Sequence, residues 1–168
     1  SSSTSARPTF TADVAGIYVA TLIVNDGQVD SASATVTVTA ISPSLSLYSV
    51  DQFFGDFLVS VPYSASANQS ASCIGSCSSG ATVATFKLVA TGSNFTITGL
   101  SATNLTSGSS VVPTFSGLAN NQVINSGQTV TFNLLSGLTG GATVNLRYAF
   151  TIVETGQTFT YNVGLRTN

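Results

Sequence analysis

Few residues in this chain can do chemistry, and their types narrow what it does. Cys73 and Cys77 stand in "SCIGSC", inside a Gly/Ser-rich stretch. A zinc site would need further thiolate or imidazole ligands, and the sequence holds no His and no third Cys. A redox pair wants Cys-x-x-Cys in an α/β setting, and that is absent. The pair therefore reads as a short disulfide that pins its loop in an oxidising compartment.

The carboxylates are equally sparse. Asp13, Asp26 and Asp30, with Asn25, carry the oxygen ligands that calcium prefers, and Asp26 and Asp30 are the candidate pair for it. The competing reading gives Asp26 the ordinary turn role of Asp in Asn25-Asp26-Gly27. No other cofactor is expected. Asp51 and Asp56 flank "QFFG" in a loop, where two acids alone do not make a glycosidase and a solvated turn is the simpler role. Lys87 is the sole Lys and Glu154 the sole Glu. A covalent Lys–Asn crosslink would need a buried acid beside the amine, whereas Lys87 alternates out of phase with Phe86 and Leu88 and should face solvent. Asn68, Asn94 and Asn104 occupy glycosylation-type sequons. Without His there is no ordinary general base near neutral pH, so an enzyme is not expected.

The elements that carry these residues are strands. Alternation with period two runs through most of the 168 residues, and no stretch keeps helical spacing. Charged residues make up only 6%, with 4 Lys+Arg against 6 Asp+Glu, so Ser, Thr, Asn, Gln and Gly must cover the surface. Four scattered cations cannot form the basic stripe that nucleic acid requires. No apolar run reaches the ~18 residues of a membrane-spanning helix. The hydroxyl-rich, weakly charged strands suit an extracellular protein at the cell surface.

Ile17 to Val24 is apolar on both faces, as in a central sandwich strand, and after the Asn25-Asp26-Gly27 turn Ala34, Val36 and Val38 alternate with Thr35, Thr37 and Thr39. The short, proline-bearing break Ala40-Ile41-Ser42-Pro43-Ser44 sets the expected boundary between a module at 1–40 and a domain at 44–168. In that domain Phe57, Val59, Val61 and Tyr63 share one face, and Ala84, Phe86, Leu88 and Ala90 another. Phe95 and Ile97 follow, then Val130, Phe132 and Leu134 after the turn at Asn125-Ser126-Gly127. Val144 to Ile152 and Phe159 to Leu165 alternate about a turn at Glu154-Thr155-Gly156, predicting a long closing hairpin. The fold class expected is all-β: an antiparallel, immunoglobulin-like sandwich preceded by a partial module of similar kind.

"DVAGIYVA" holds Asp13, Gly16 and Tyr18 in the order of the tyrosine corner of immunoglobulin-like domains, with Ala20 where a Cys usually stands. The longer "ARPTFTADVAGIYVATLIVNDGQVDSASATVTVTA" resembles the second half of a PKD-type domain of bacterial surface and secreted proteins. That resemblance implies a buried Tyr18 whose hydroxyl bonds to backbone near Asp13, in a spacer, adhesion or protein-binding module. Residues 44–168 resemble bacterial immunoglobulin-like modules more loosely. The front half of the PKD family, with its Asp-Gly-rich loop and Tyr-x-Trp strand, has no counterpart here.

The unmet burial of this partial module carries the functional expectation. Ile17, Leu22, Val24, Val36 and Val38 are the candidate subunit-interface residues, covered by strands from a neighbouring copy. The chain is then expected to be a structural subunit of a surface filament or fimbrium, joined head to tail with copies of itself. The alternative is an adhesin module that binds a glycan, a receptor or another surface protein, and a face of exposed Tyr and Phe would favour it.

Overall fold

The computed structural model describes residues 7–51, 53–59, 62–71, 82–137 and 143–167, and Cys73, Cys77 and Val61 lie outside them. The protein is all-β, with no helix among the described residues. It divides into two compact units, Ser1–Pro43 and Ser44–Asn168.

The first unit holds one antiparallel ladder, β1 (Gly16–Leu22) on β2 (Ala34–Ala40), in register from Gly16↔Ala40 to Leu22↔Ala34. The alternation places Tyr18, Ala20 and Leu22 on one face beside Val38, Val36 and Ala34. The opposite face sets Ile17 and Val19 against Thr39 and Thr37. β1 is therefore not a central sandwich strand: its one strand partner among the described residues is β2, and Ile17 remains 73% exposed and Leu22 62%.

The second unit contains β3 (Ser44–Asp51), β4 (Gly55–Val59), β5 (Tyr63–Ala71), β6 (Thr82–Thr91), β7 (Phe95–Asn104), β8 (Thr114–Ser116), β9 (Val123–Ile124), β10 (Thr129–Leu135), β11 (Thr143–Ile152) and β12 (Thr158–Thr167). One sheet has the order β4-β3-β6-β10-β8 and the other β5-β12-β11-β7-β9. Apart from the added β4, β5 and β9, these are the A-B-E-D and G-F-C orders of an immunoglobulin-like sandwich. β5 joins β12 in parallel, and every other ladder among the described residues is antiparallel.

Phe57, Val59 and Tyr63 do not share a strand face as the alternation implied. β4 pairs with β3 in one sheet while β5 joins the other, and Pro62 lies at the switch. Proline offers no N–H to a ladder, so the chain leaves its first sheet there.

Four phenylalanines hold the two sheets together. Phe86 and Phe132 are direct cross-strand partners and stack with centroids 5.6 Å apart. Phe150 and Phe159 do the same in the opposite sheet at 4.7 Å. The two stacks meet edge to face: Phe86 on Phe159 at 81°, Phe132 on Phe150 at 80°. Edge-to-face contact sets ring hydrogens against the negative π-face of the partner, which adds about 0.5–1.5 kcal/mol per pair beyond area burial. Around this quartet Leu47, Leu88, Ile97, Ile124, Leu134, Leu146 and Ile152 are buried, as the period-two pattern predicted for most of them. The buried Tyr148 hydroxyl donates to the Leu135 carbonyl at 2.7 Å, and burial, with Tyr161 nearby, pushes its ionisation far upward.

The closing hairpin is clamped at its turn. One Glu154 oxygen accepts the Thr96 N–H and the other accepts the Thr96 hydroxyl, both at 2.8 Å. Desolvation would raise the Glu154 pKa, but the Thr96 bonds outweigh it and hold the carboxyl below its ordinary value. Gly117, at φ +82°, takes a conformation that side chains resist, and a Cβ there would meet the Thr131 carbonyl oxygen at 2.5 Å.

The quartet sets an expectation for stability. Phe86→Ala should cost about 3–5 kcal/mol in urea denaturation of the full chain, by lost transfer energy and the cavity left. The exposed Phe53→Ala should stay within about 0.5 kcal/mol of wild type. Similar losses for both would contradict the packing described.

Candidate interaction surface

Two features each gather several large apolar side chains in solvent, and each is built by short-range bonding. The first is the β1–β2 ribbon. At its open end the Tyr18 hydroxyl donates to the Val14 carbonyl at 2.7 Å, with an Asp13 carboxylate oxygen at 3.1 Å, and receives the Val14 N–H at 3.3 Å. Tyr18 is only half-buried, not buried as the tyrosine-corner resemblance implied, because no second sheet of this unit lies over its ring among the described residues. Its ring instead meets Phe10 at a centroid distance of 5.5 Å. Gly16 has open space where a Cβ would stand and no left-handed backbone, so nothing in the corner demands a glycine.

The far end of the ribbon is closed by a bonded loop. An Asp26 oxygen accepts the N–H groups of Gln28 and Val29, both at 2.9 Å, and these bonds, Val29 first, hold its carboxyl below the usual range. The Asn25 side chain accepts the Gly27 N–H and donates to Asp30, both at 2.6 Å. Gly27 supplies the φ of +97° that the turn requires. The calcium candidates Asp26 and Asp30 are thus occupied in holding this loop. Asp13 belongs to the opposite end of a seven-pair ladder, and no cluster of three metal-binding side chains occurs among the described residues.

Between the two ends the apolar face forms a shallow groove of about 460 Å3, with Pro8, Phe10, Tyr18, Ala20, Val36 and Val38 in its lining. The interface candidates Ile17, Leu22, Val24, Val36 and Val38 are all exposed. Val24 lies just beyond β1, where its backbone takes the Ser31 N–H at 2.7 Å and gives its own N–H to the Ser31 hydroxyl at 3.0 Å.

The second feature is the β3–β4 hairpin, paired from Leu47↔Val59 to Asp51↔Gly55. An Asp51 oxygen accepts the N–H of Phe53 at 2.8 Å and of Phe54 at 2.9 Å, and Gly55 turns the chain at φ +89°. The turn is fixed by these bonds, yet Phe53 is 89% exposed and Phe54 80%. Asp56 ion-pairs with Lys87, whose amine also lies 4.8 Å from the centre of the Tyr48 ring, so the hairpin is tied across β3 to β6. Lys87 does face outward, and Glu154, the sole Glu, is committed to Thr96 rather than placed as an acid for a crosslink. The acids of "DQFFGD" were the obvious residues in the sequence. The telling signal was two large apolar residues where a turn usually takes Gly, Asn or Ser.

The sequons differ. The Asn104 side-chain nitrogen, the atom a glycan would occupy, donates to the Ser109 hydroxyl at 3.0 Å and the Val111 carbonyl at 2.9 Å. Asn94 is exposed and its oxygen accepts the Ser126 N–H at 2.9 Å. The Asn68 side chain, like Cys73 and Cys77, lies outside the described residues.

Comparison with protein-family models, with curated proteins and with solved structures returns no match.

The Tyr18 bonds are exposed, so their loss should be mild. Tyr18→Phe is expected to lower the stability of the first unit by about 0.5 kcal/mol, the low end for one net hydrogen bond. A urea titration followed by NMR on the amides of β1 and β2 measures it. A loss above about 2 kcal/mol would show the hydroxyl to be buried after all.

Proposed function

We propose that this chain is a structural subunit of an extracellular surface filament, in which a neighbouring copy covers the apolar face of the β1–β2 ribbon. The observation that supports this best is the ribbon itself: an ordered ladder whose apolar face carries Leu22, Val36 and Val38 in solvent. An isolated two-stranded hairpin is marginal in water and needs further strands, or a second layer, for independent stability. The outer edges of β1 and β2 also present backbone N–H and C=O groups that a further strand can pair. Full burial of Leu22, Val36 and Val38 would contribute about 1.5–3 kcal/mol each. The covering contact joins unlike surfaces, so it propagates rather than closing into a symmetric pair. A chain in which only 6% of residues are charged brings few charges to such a contact, which lowers its desolvation cost.

The second reading, a binding module of a larger surface protein, draws support from one observation: the exposed Phe53 and Phe54 at a fixed turn. Most other aromatics are spent in the core, which leaves no broad aromatic face for a glycan.

Assembly decides between them. The intact chain should sediment as a concentration-dependent polymer and show fibres by electron microscopy. Leu22→Asp, which puts a charge in the contact, should abolish the fibres while near-native circular dichroism shows the second unit still folded. A wild-type chain that stays monomeric at all concentrations would overturn the filament and leave the binding module.

A further inference from the structure

The uncovered groove and the exposed hairpin tip are complementary, and both belong to the same chain. The groove is a concave apolar surface of about 460 Å3 walled by Phe10, Tyr18, Val36 and Val38. The tip is a convex apolar one, two adjacent phenylalanines held by the Asp51 turn, and Phe57 in the following strand β4 is itself 52% exposed. We propose that Phe53 and Phe54 of one copy seat in the β1–β2 groove of the next, forming the knob and socket of the head-to-tail contact. This rests on the filament reading and names the segment of the neighbour that does the covering.

Three properties point to this occupant. A pocket of this volume lies within the usual range for burying a compact apolar group, and two aromatic rings suit it. Burying two such side chains removes about 300–500 Å2 on the knob side, a large share of the ~800 Å2 per partner of a stable interface, so the edges of the ribbon need supply only the remainder. The knob is also preorganised: the Asp51 bonds and the Asp56–Lys87 pair fix it before contact, so little conformational freedom is lost on docking. Charge argues against the main competing occupant. A pair of phenylalanines at a loop tip could enter a lipid surface, but here acids flank them at Asp51 and Asp56, and the chain has only 4 Lys+Arg to meet anionic headgroups.

A knob and a socket on opposite partners can be separated by mixing. The knob variant carries Phe53→Ser and Phe54→Ser, exposed positions whose change leaves the fold intact. The socket variant carries Val38→Asp. Each alone should remain monomeric in sedimentation, while an equimolar mixture should form heterodimers and stop there, since each pair offers one intact knob to one intact socket. The mixture still reports if Val38→Asp disorders the first unit, because that chain contributes only its knob. Normal fibres from the knob variant would overturn the proposal, and if Leu22→Asp still blocked them the filament reading would stand without it. A mixture that stays monomeric would overturn it too. So would wild-type chain that co-sediments with phosphatidylglycerol vesicles through Phe53 and Phe54, which would assign the tip to a membrane. A wild-type chain that never assembles would remove both readings together.

Discussion

The crossing of two phenylalanine stacks is the contact on which the second unit depends. Phe86 with Phe132, and Phe150 with Phe159, are register partners within their sheets, and the sheets meet where those stacks cross edge to face. One geometric fact thus specifies three things together: strand register, the face each sheet turns inward, and the rotation of one sheet on the other. A one-residue slip in any of the four strands would move a ring to solvent and break the crossing. Because this core is complete, β3 is held firmly and its extension into β4 can stand clear with an aromatic tip.

The first unit obeys the opposite constraint. Its ladder has a capped open end at Tyr18 and a bonded loop at Asn25 to Asp30, so its local geometry is well determined. Local bonds cannot remove an apolar face from water, however. Two strands offer one layer, and a layer needs a second to bury it. The same chain therefore contains a unit that satisfies its own burial and one that does not, and the difference directs attention to what a neighbour must supply.

Much of this was legible in the sequence. The closing hairpin was readable because Val144 to Ile152 and Phe159 to Leu165 alternate without interruption, and burial follows that alternation residue by residue. The switch at Pro62 was missed because Phe57, Val59 and Tyr63 keep their phase across it, and periodicity does not report which sheet a strand joins. Ile17 to Val24 looked central because both faces carry apolar residues, and only the pairing shows that the strand has one neighbour in the structure. Gly16 matched a motif without a steric need. The loop at "QFFG" was legible from its flanking acids Asp51 and Asp56, but attention to those acids passes over the two rings between them, and only three-dimensional placement shows the Asp51 bonds holding Phe53 and Phe54 outward.

Amide hydrogen exchange of the full chain, compared between dilute and concentrated samples, tests the central claim most directly. If a second copy covers the ribbon, amides of Gly16–Leu22 and Ala34–Ala40 should exchange far more slowly in the concentrated, assembled sample. Those of Thr143–Ile152, already within a complete sandwich, should not change. Equal exchange across β1 and β2 in both samples would contradict it, because the apolar face would then have no partner in another copy of the chain.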